Sequence, residues 1–265
     1  MPCFNYGAFV EEAVSSLLCQ EGGAPHVIVV DDGSTEPATH AAFDRLPEGV
    51  DVLRTPNQGV ARARNTGLLR AQTPFVLVLD ADDRLAPGAL AQLRAALDED
   101  PDAGFAYGWH RFFGRWEAEV RVPAYDPLML LDRQMIGVTA LMRRELVTAT
   151  GGFDPAFAAF EDWELWLNAL EHGFRGVRVP VVALEYRRHE SSKLATDRRR
   201  YRAARRALKT KHARLYARRA ELSRESSMGP PQRLAHRLYW GPRPIPAALE
   251  QGLYELLLRG RRSFG

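Results

Sequence analysis

The stretch Val27-Ile28-Val29-Val30-Asp31-Asp32-Gly33-Ser34 places four apolar residues directly before two carboxylates and a turn. Residues 75–83, Phe-Val-Leu-Val-Leu-Asp-Ala-Asp-Asp, repeat that arrangement. Short continuous apolar runs of this kind are typical of strands buried on both faces of a parallel sheet. Helical spacing of apolar residues surrounds them, over residues 9–18, 37–46, 59–71 and 87–98. We therefore predict an α/β fold, with an open, mostly parallel twisted sheet flanked by helices.

The rest of the chain continues with strands and then becomes helical. Strand patterns cover residues 103–113, 116–122, 138–142 and 177–186, and a helix is predicted over residues 162–172. Helical propensity then extends over residues 196–226, and a last helix is predicted over residues 247–258. We predict an α/β domain over residues 1–195 and a basic helical C-terminal extension over residues 196–265.

The composition is that of an ordinary globular protein, with 265 residues, 46% hydrophobic and 26% charged. Two cysteines cannot form a disulfide framework, and no apolar run reaches the roughly 18 residues that cross a bilayer. The first residues also lack the pattern of a signal peptide. These features predict a cytoplasmic protein.

The charge is unevenly distributed along the chain. Residues 1–185 carry 15 Lys and Arg against 27 Asp and Glu, whereas residues 186–265 carry 21 against 6. A basic C-terminal segment is either a solvated helical face or a surface for an anionic partner, such as nucleic acid or the inner face of a membrane. Aromatic residues are sparse among its arginines and no recognition motif is present, so nucleic acid is the less favoured partner.

The carboxylates after the two apolar strands predict a ligand site. Because the carboxyl ends of parallel strands line the ligand crevice of an open α/β sheet, the two clusters are expected to lie close together. Their mutual repulsion is relieved by a hard cation, and Mg²⁺ or Mn²⁺ that also holds the phosphate oxygens of a nucleotide diphosphate fits this need. Each cluster taken alone is equally well explained as a turn or a helix cap.

Seven motifs follow one another in an order that resembles a known family. They are Pro2-Cys3-Phe4-Asn5, Val29-Val30-Asp31-Asp32-Gly33-Ser34, residues 57–67 (Asn-Gln-Gly-Val-Ala-Arg-Ala-Arg-Asn-Thr-Gly), Leu79-Asp80-Ala81-Asp82-Asp83, Gly151-Gly152-Phe153-Asp154, Glu161-Asp162 and Tyr186-Arg187-Arg188-His189. Over residues 1–190 the chain resembles the family 2 glycosyltransferases of the GT-A fold. These enzymes transfer a sugar from a nucleotide diphosphate sugar with inversion.

The resemblance implies a donor site and a metal site. The implied nucleotide-sugar residues are Pro2, Phe4, Asn5, Asp31, Asp32, Arg64, Asp80, Ala81 and Asp83. Phe4 would stack on the base, and the carboxylate of Asp32 would accept a hydrogen bond from the imide N–H of the base. Asp31 either contacts the donor or fixes the loop. Arg64, or Arg62 by spacing, would meet phosphate oxygens. The implied metal ligands are Asp82, Asp80 and His189, although a histidine in this position is as often structural.

The resemblance also assigns the residues on the acceptor side. Asp162 is the implied catalytic base, which takes the proton of the acceptor hydroxyl as that hydroxyl attacks the sugar. Gly152, Glu161 and Trp163 are implied to contact the donor sugar or the acceptor. The flat rings of Trp163 and Trp166 suit contact with a sugar. The alternative for Asp162 is an acid that caps a helix.

The sequence departs from the family pattern at its start. Family members carry an apolar strand directly before the Pro-x-x-Asn segment, and only Met1 precedes Pro2 here. We expect that this interior strand is encoded upstream of the present start.

The predicted function is that of a metal-dependent inverting glycosyltransferase in the synthesis of bacterial-type surface polysaccharide or glycolipid. The expected donor is a nucleotide diphosphate sugar, most commonly a UDP-sugar, and the expected acceptor is a glycan or lipid-linked glycan. Two alternatives remain: a sugar-phosphate nucleotidyltransferase, whose Gly-rich activation loop is absent, and a nonenzymatic nucleic-acid-binding protein.

Overall fold

Strands and helices alternate along the first hundred residues of the computed structural model, which describes residues 1–158, 160–189 and 198–240. The strands are β1 (Pro2–Cys3), β2 (Ile28–Asp31), β3 (Asp51–Arg54), β4 (Phe75–Leu77), β5 (Arg84–Leu85), β6 (Ala103–Gly114), β7 (Ala118–Val120), β8 (Leu141–Arg143) and β9 (Arg175–Arg188). The helices are α1 (Val10–Leu18), α2 (Pro37–Asp44), α3 (Val60–Arg70), α4 (Ala89–Glu99), α5 (Pro127–Asp132), α6 (Arg144–Thr150), α7 (Glu161–Glu171), α8 (Arg198–Lys211), α9 (Ala213–Ala217), α10 (Arg219–Glu225) and α11 (Pro230–Trp240). The predicted α/β class is confirmed.

The first sheet is parallel and has the order β1-β2-β3. Its central strand β2 is buried along its whole length, as its continuous apolar run predicts, with helix α3 packed beside it. Pro2 pairs with Val30 in the adjoining ladder, and the carbonyl oxygen of Met1 accepts a hydrogen bond from the amide of Val30 at 2.8 Å. Within the described residues, no ladder joins this sheet to the second one.

The second sheet is mixed and has the order β4-β8-β6-β9-β5, with β7 paired to β6. The two long strands β6 and β9 run parallel, whereas β8 and β5 are antiparallel to their neighbours. The first sheet is parallel, as predicted. In the second sheet only the β6–β9 ladder is parallel among the described strands, and the other ladders are antiparallel. This topology brings the C-terminal end of β9 beside the loop that follows β4.

The C-terminal helices pack on the α/β domain. Leu208, Leu215 and Leu222 are buried in the same hydrophobic cluster as Trp163 and Phe105. The predicted extension is thus helical over its described part, and it shares a core with the residues before it. The side chains of Arg198, Arg199, Arg200 and Arg202 and the helix predicted over residues 247–258 lie outside what the structure describes. In the described part of the chain, no helix has the length and apolarity to span a bilayer.

Candidate functional site

The first carboxylate cluster fixes the loop that follows β2. Asp31 accepts a hydrogen bond from the amide of Ser34 at 2.8 Å, which is the loop-fixing role considered for it. The two carboxylate oxygens of Asp32 accept from the amides of Gln58 and Gly59, at 2.8 and 2.9 Å. Asp32 therefore joins this loop to the start of α3. Its predicted contact with a nucleotide base would use the lone pairs that these amides leave.

Asn5 joins the first motif to the same loop. Its backbone is left-handed, with φ of 57°, and its side-chain oxygen accepts from the amides of Thr35 and Glu36 at 2.8 and 3.2 Å. The backbone amide of Asn5 donates to the hydroxyl of Ser34 at 3.0 Å. Phe4, the preceding residue, is 43% exposed, so part of its side chain is accessible to a ligand. Pro2 is buried in β1, and Ala81 is buried in the loop after β4.

The second carboxylate cluster is crowded with negative charge. Burial, with the charges of Asp82 and Asp80, raises the pKa of Asp83 well above its usual value, although Asp83 accepts from the amide of Arg187 at 2.8 Å. Burial and the charge of Asp80 likewise raise the pKa of Asp82, against the contact with His189 that lowers it. A nearby cation relieves this kind of repulsion.

His189 reaches this cluster because β9 is tied to the loop after β4. The side chain of Arg187 donates to the carbonyl oxygen of Asp82 at 2.8 Å, and it also pairs with Glu12. Nε2 of His189 lies 3.0 Å from Oδ2 of Asp82, and the imidazole packs 5.1 Å from the ring of Phe9. The structure thus brings together two side chains that lie 107 positions apart in the sequence.

The residues of the predicted metal site are only partly assembled. Among the described residues, no three His, Cys, Asp or Glu side chains are grouped so that they could hold a metal ion. Asp82 and His189 face each other, whereas Oδ1 of Asp80 accepts from Arg64 at 2.7 Å. Asp82 and His189 would hold a divalent ion here, and water and donor phosphates would supply the further oxygen ligands that such an ion takes.

Arg64 has a different role from the predicted one. Its guanidinium is buried, and its two terminal nitrogens donate to Asp80 and Glu161, both at 2.7 Å. The carbon of the guanidinium lies 5.3 Å from the centre of the Phe153 ring. Arg64 therefore links the second carboxylate cluster to the start of α7 instead of presenting its terminal N–H groups to phosphate. Arg62, the alternative by spacing, is exposed on α3.

Asn65 explains why two of the motifs occur together. Its side chain donates to the carbonyl oxygen of Phe153 at 2.7 Å and accepts from the amide of Phe153 at 2.8 Å. Gly152 has φ of +82°, and a Cβ at this position would lie 2.5 Å from the side-chain oxygen of Asn65. Gly152 therefore allows the turn to approach α3, and its contact with a sugar stays a prediction.

Asp162 lies at the start of α7 with an unexpected partner. The side-chain nitrogen of Gln134, in the loop after α5, donates to both of its carboxylate oxygens, at 2.7 and 2.6 Å. Burial and the charge of Glu161 raise the pKa of Asp162 to about 7, against the hydrogen bonds from Gln134 that lower it. A carboxylate with a pKa near neutrality is suited to take up and release a proton. Gln134 belongs to no motif, and the sequence carries no signal for it.

The two tryptophans of α7 do not face a ligand. Trp163 and Trp166 are fully buried, and their ring nitrogens donate to the carbonyl oxygens of Leu130 and Ile136 at 2.7 and 3.2 Å. Trp163 stacks on Tyr201 with the ring centres 5.4 Å apart. The interpretation of Trp163 as a sugar contact is therefore wrong, because both faces of its ring are covered by the core.

Similarity to a family model identifies the class of protein. The profile described as Glycosyl transferase family 2 matches residues 1–162, more than half of the chain. The chain therefore belongs to glycosyl transferase family 2. It is 31% identical over 193 residues to the protein MT1568 of Mycobacterium tuberculosis (strain CDC 1551 / Oshkosh). This match covers 64% of this chain and only 60% of the length of that relative. It is 27% identical over 197 residues to TuaG of Bacillus subtilis (strain 168), which is named for teichuronic acid biosynthesis; this match covers 70% of this chain and 76% of TuaG.

Solved structures share the fold. Residues 1–349 of S. aureus TarS in complex with UDP-GlcNAc superpose with a TM-score of 0.66 at 19% identity, covering 83% of this chain and 69% of that one. The mannosyltransferase PcManGT from Pyrobaculum calidifontis, in complex with GDP-Man and Mn²⁺, gives 0.56 at 21% identity, covering 89% and 66%. At these identities the likeness establishes the GT-A fold alone.

Proposed function

We propose that this chain is a metal-dependent, inverting glycosyltransferase that uses a nucleotide diphosphate sugar. The observation that carries the proposal is the arrangement around Arg64, which connects the carboxylates after β4 to the Glu161–Asp162 pair. One guanidinium thereby links a cation-attracting cluster to Glu161, whose neighbour Asp162 has a pKa raised to about 7. An inverting transfer needs a donor-phosphate site on one side of the sugar and a base on the other.

The donor side consists of the loops after β1, β2 and β4. Phe4 would stack on the base, and Asp82 with His189 would hold Mg²⁺ or Mn²⁺. When it is bound, such an ion neutralises the charge that develops on the departing diphosphate. The solved neighbours with UDP-GlcNAc and with GDP-Man and Mn²⁺ support this donor class, and they leave UDP and GDP both open.

The acceptor class is proposed from the relatives and the tail. The relationship to TuaG supports the synthesis of a bacterial surface polysaccharide. The basic tail gives less support to nucleic acid binding, because Arg205 and Arg219 pair with Asp132 and Lys211 pairs with Glu164. Contact with an anionic membrane stays a proposal.

Nucleotide binding should depend on a divalent ion through Asp82. We expect UDP or GDP to bind tightly only with Mn²⁺ or Mg²⁺ present, and Asp82→Ala to abolish this dependence, because Asp82 and Asp80 repel an unscreened diphosphate. Calorimetric titrations with and without Mn²⁺ measure the effect. Asp44→Ala, which alters a 76% exposed side chain on α2, is the control. Tight binding without any metal would contradict the proposed site.

Turnover should rise with pH through a midpoint near 7. Only the deprotonated Asp162 accepts a proton, so the rate is low below its pKa of about 7 and reaches a plateau above it. Gln134→Leu removes two hydrogen bonds that favour the carboxylate, so the midpoint should move to higher pH. The pH dependence of kcat/KM between pH 5.5 and about 9, which reports groups of the enzyme before the acceptor binds, would measure both midpoints. A midpoint unchanged in Gln134→Leu would contradict this assignment.

A further inference from the structure

One face of the β6–β9 ladder carries a cluster that the donor site and the base do not use. Phe112 pairs with Tyr186, and Gly114 pairs with Arg188, in parallel register, so Tyr186 and Arg188 lie on the same face as Phe112. Trp116, in the turn between β6 and β7, packs 4.8 Å from Phe112. We call Phe112, Trp116, Tyr186 and Arg188 the arginine–aromatic patch. Trp116 is 47% exposed, so the patch opens to solvent.

The guanidinium of Arg188 lies among three aromatic rings. Its central carbon is 5.4 Å from the ring centre of Trp116, 5.8 Å from that of Phe112 and 6.0 Å from that of Tyr186. Nε and Nη1 of Arg188 are buried without a hydrogen-bond partner in the described part of the chain. Buried N–H donors of a cation are costly to leave unpaired, so an oxyanion that reaches this guanidinium, once the covering rings shift to expose it, is favoured. The neighbouring Arg187, by contrast, is engaged with Asp82 and Glu12.

The patch borders the candidate active site on two sides. Arg188 directly precedes His189, which contacts Asp82. Burial, with the charges of Asp83 and Asp82, raises the pKa of the Tyr186 hydroxyl. His110 lies two residues before Phe112 on the same face of β6. A Cβ on Gly137 would be 3.2 Å from His110, so this face also meets the loop that carries Gln134. The face of β6 that carries Phe112 therefore lies next to the loop that carries Gln134, the partner of Asp162.

We propose that the arginine–aromatic patch is an acceptor subsite for a saccharide that bears an oxyanion, either a carboxylate or a phosphate. The aromatic rings supply flat apolar faces for the C–H face of a pyranose, and Trp116 presents the most exposed of them. The guanidinium of Arg188 supplies the planar donor pair that carboxylate and phosphate oxygens accept. This inference rests on the proposed glycosyltransferase function and adds the charge of the acceptor to it.

Matched sugars test the subsite in the full chain with UDP and diamagnetic Mg²⁺ present. The probes are methyl β-glucuronide against methyl β-glucoside, and glucose 6-phosphate against glucose, with Kd measured by ligand-observed NMR titration. We expect one charged sugar to bind at least about tenfold more tightly than its neutral counterpart, and Arg188→Gln to remove the preference. The pair that shows the preference identifies the oxyanion. Equal affinity in both pairs, or a preference that survives in Arg188→Gln, overturns the proposal.

Two further variants separate the subsite from general damage. Arg121→Gln is the matched control, because Arg121 also lies over a tryptophan, Trp109, at 5.0 Å and is 74% exposed. It should keep the wild-type preference, and loss of the preference there would contradict a specific role of Arg188. If Arg188→Gln does not fold, Trp116→Ala decides: it should weaken both members of a pair, and unchanged binding of both overturns the subsite. Absence of UDP and GDP binding in the wild type would instead refute the proposed function.

Discussion

Asp162→Asn is expected to lower turnover by about 10²–10⁴-fold, because a positioned side chain that accepts a proton contributes about that much to a transfer reaction. Asparagine keeps the size of the side chain and cannot accept the proton. Donor binding should stay close to wild type, since in the described part of the chain the carboxylate of Asp162 bonds to Gln134 and to the amide of Trp163. Steady-state kinetics at saturating substrates, together with nucleotide titration in Mn²⁺, would measure the two properties separately.

Two comparisons define what this result means. Asp98→Asn alters an exposed carboxylate that pairs with Arg94 on α4, and it should leave turnover unchanged. Near-normal turnover in Asp162→Asn would move the base elsewhere, first to Glu161. Glu161 is the weaker candidate because Oε1 of its carboxylate is held by Arg64 at 2.7 Å. An equal loss of nucleotide binding and turnover would instead place Asp162 in the donor site.

The features that could be predicted from the sequence are those encoded locally. β2 and β4 follow from continuous apolar runs, and the helices α1 and α3 follow from apolar spacing. The two carboxylate clusters lie where these strands end because their residues directly follow the apolar runs in the sequence. The position of Asp162 at the start of a helix was likewise predictable from the periodicity that follows it.

The features that could not be predicted depend on contacts between distant segments. Arg64 looks like a phosphate ligand in its own motif, and only the tertiary structure places Glu161 within 2.7 Å of it. Trp163 looks like a sugar contact, and only the position of α8 shows that Tyr201 covers its ring. Gln134 lies in a loop without periodicity or motif. Sequence patterns report local preferences, whereas these partners are set by packing.

The basic tail illustrates the same limit and leads to the second large effect. Asp132, at the end of α5, is fully buried, and its carboxylate accepts from Arg205 at 2.7 Å and from Arg219 at 2.6 and 3.0 Å. Nε2 of His236 lies 2.9 Å from the same carboxylate. Residues of α8, α10 and α11 thus converge on one acid of the α/β domain. The charge counts along the sequence describe an acidic domain and a basic tail. The structure shows basic residues of the tail paired with an acid of the domain.

Asp132→Ala should therefore destabilise the protein by about 3–5 kcal/mol, the cost of leaving buried charges without their partner. Burial alone would raise the pKa of Asp132, but hydrogen bonds from His236 and Arg219 outweigh it and hold the pKa below its ordinary value of 3.8. The stabilisation is then present above that value and is lost as the pH falls through the lowered pKa of the folded state. Urea unfolding at pH 7 and at about pH 3 would measure both effects.

Glu221→Gln is the control for this prediction, because it breaks an exposed pair with Arg218 on the same C-terminal helices and should change stability little. If Asp132→Ala unfolds at the same urea concentration as wild type, the tail is not anchored through this carboxylate. Asp132 also lies two residues before Gln134, the hydrogen-bond partner of Asp162. Loss of the anchor should therefore displace that loop, and a folded Asp132→Ala variant should show the upward shift in the pH midpoint expected for Gln134→Leu. A stable variant with the wild-type pH profile would show that the tail is packed on the domain without acting on its site.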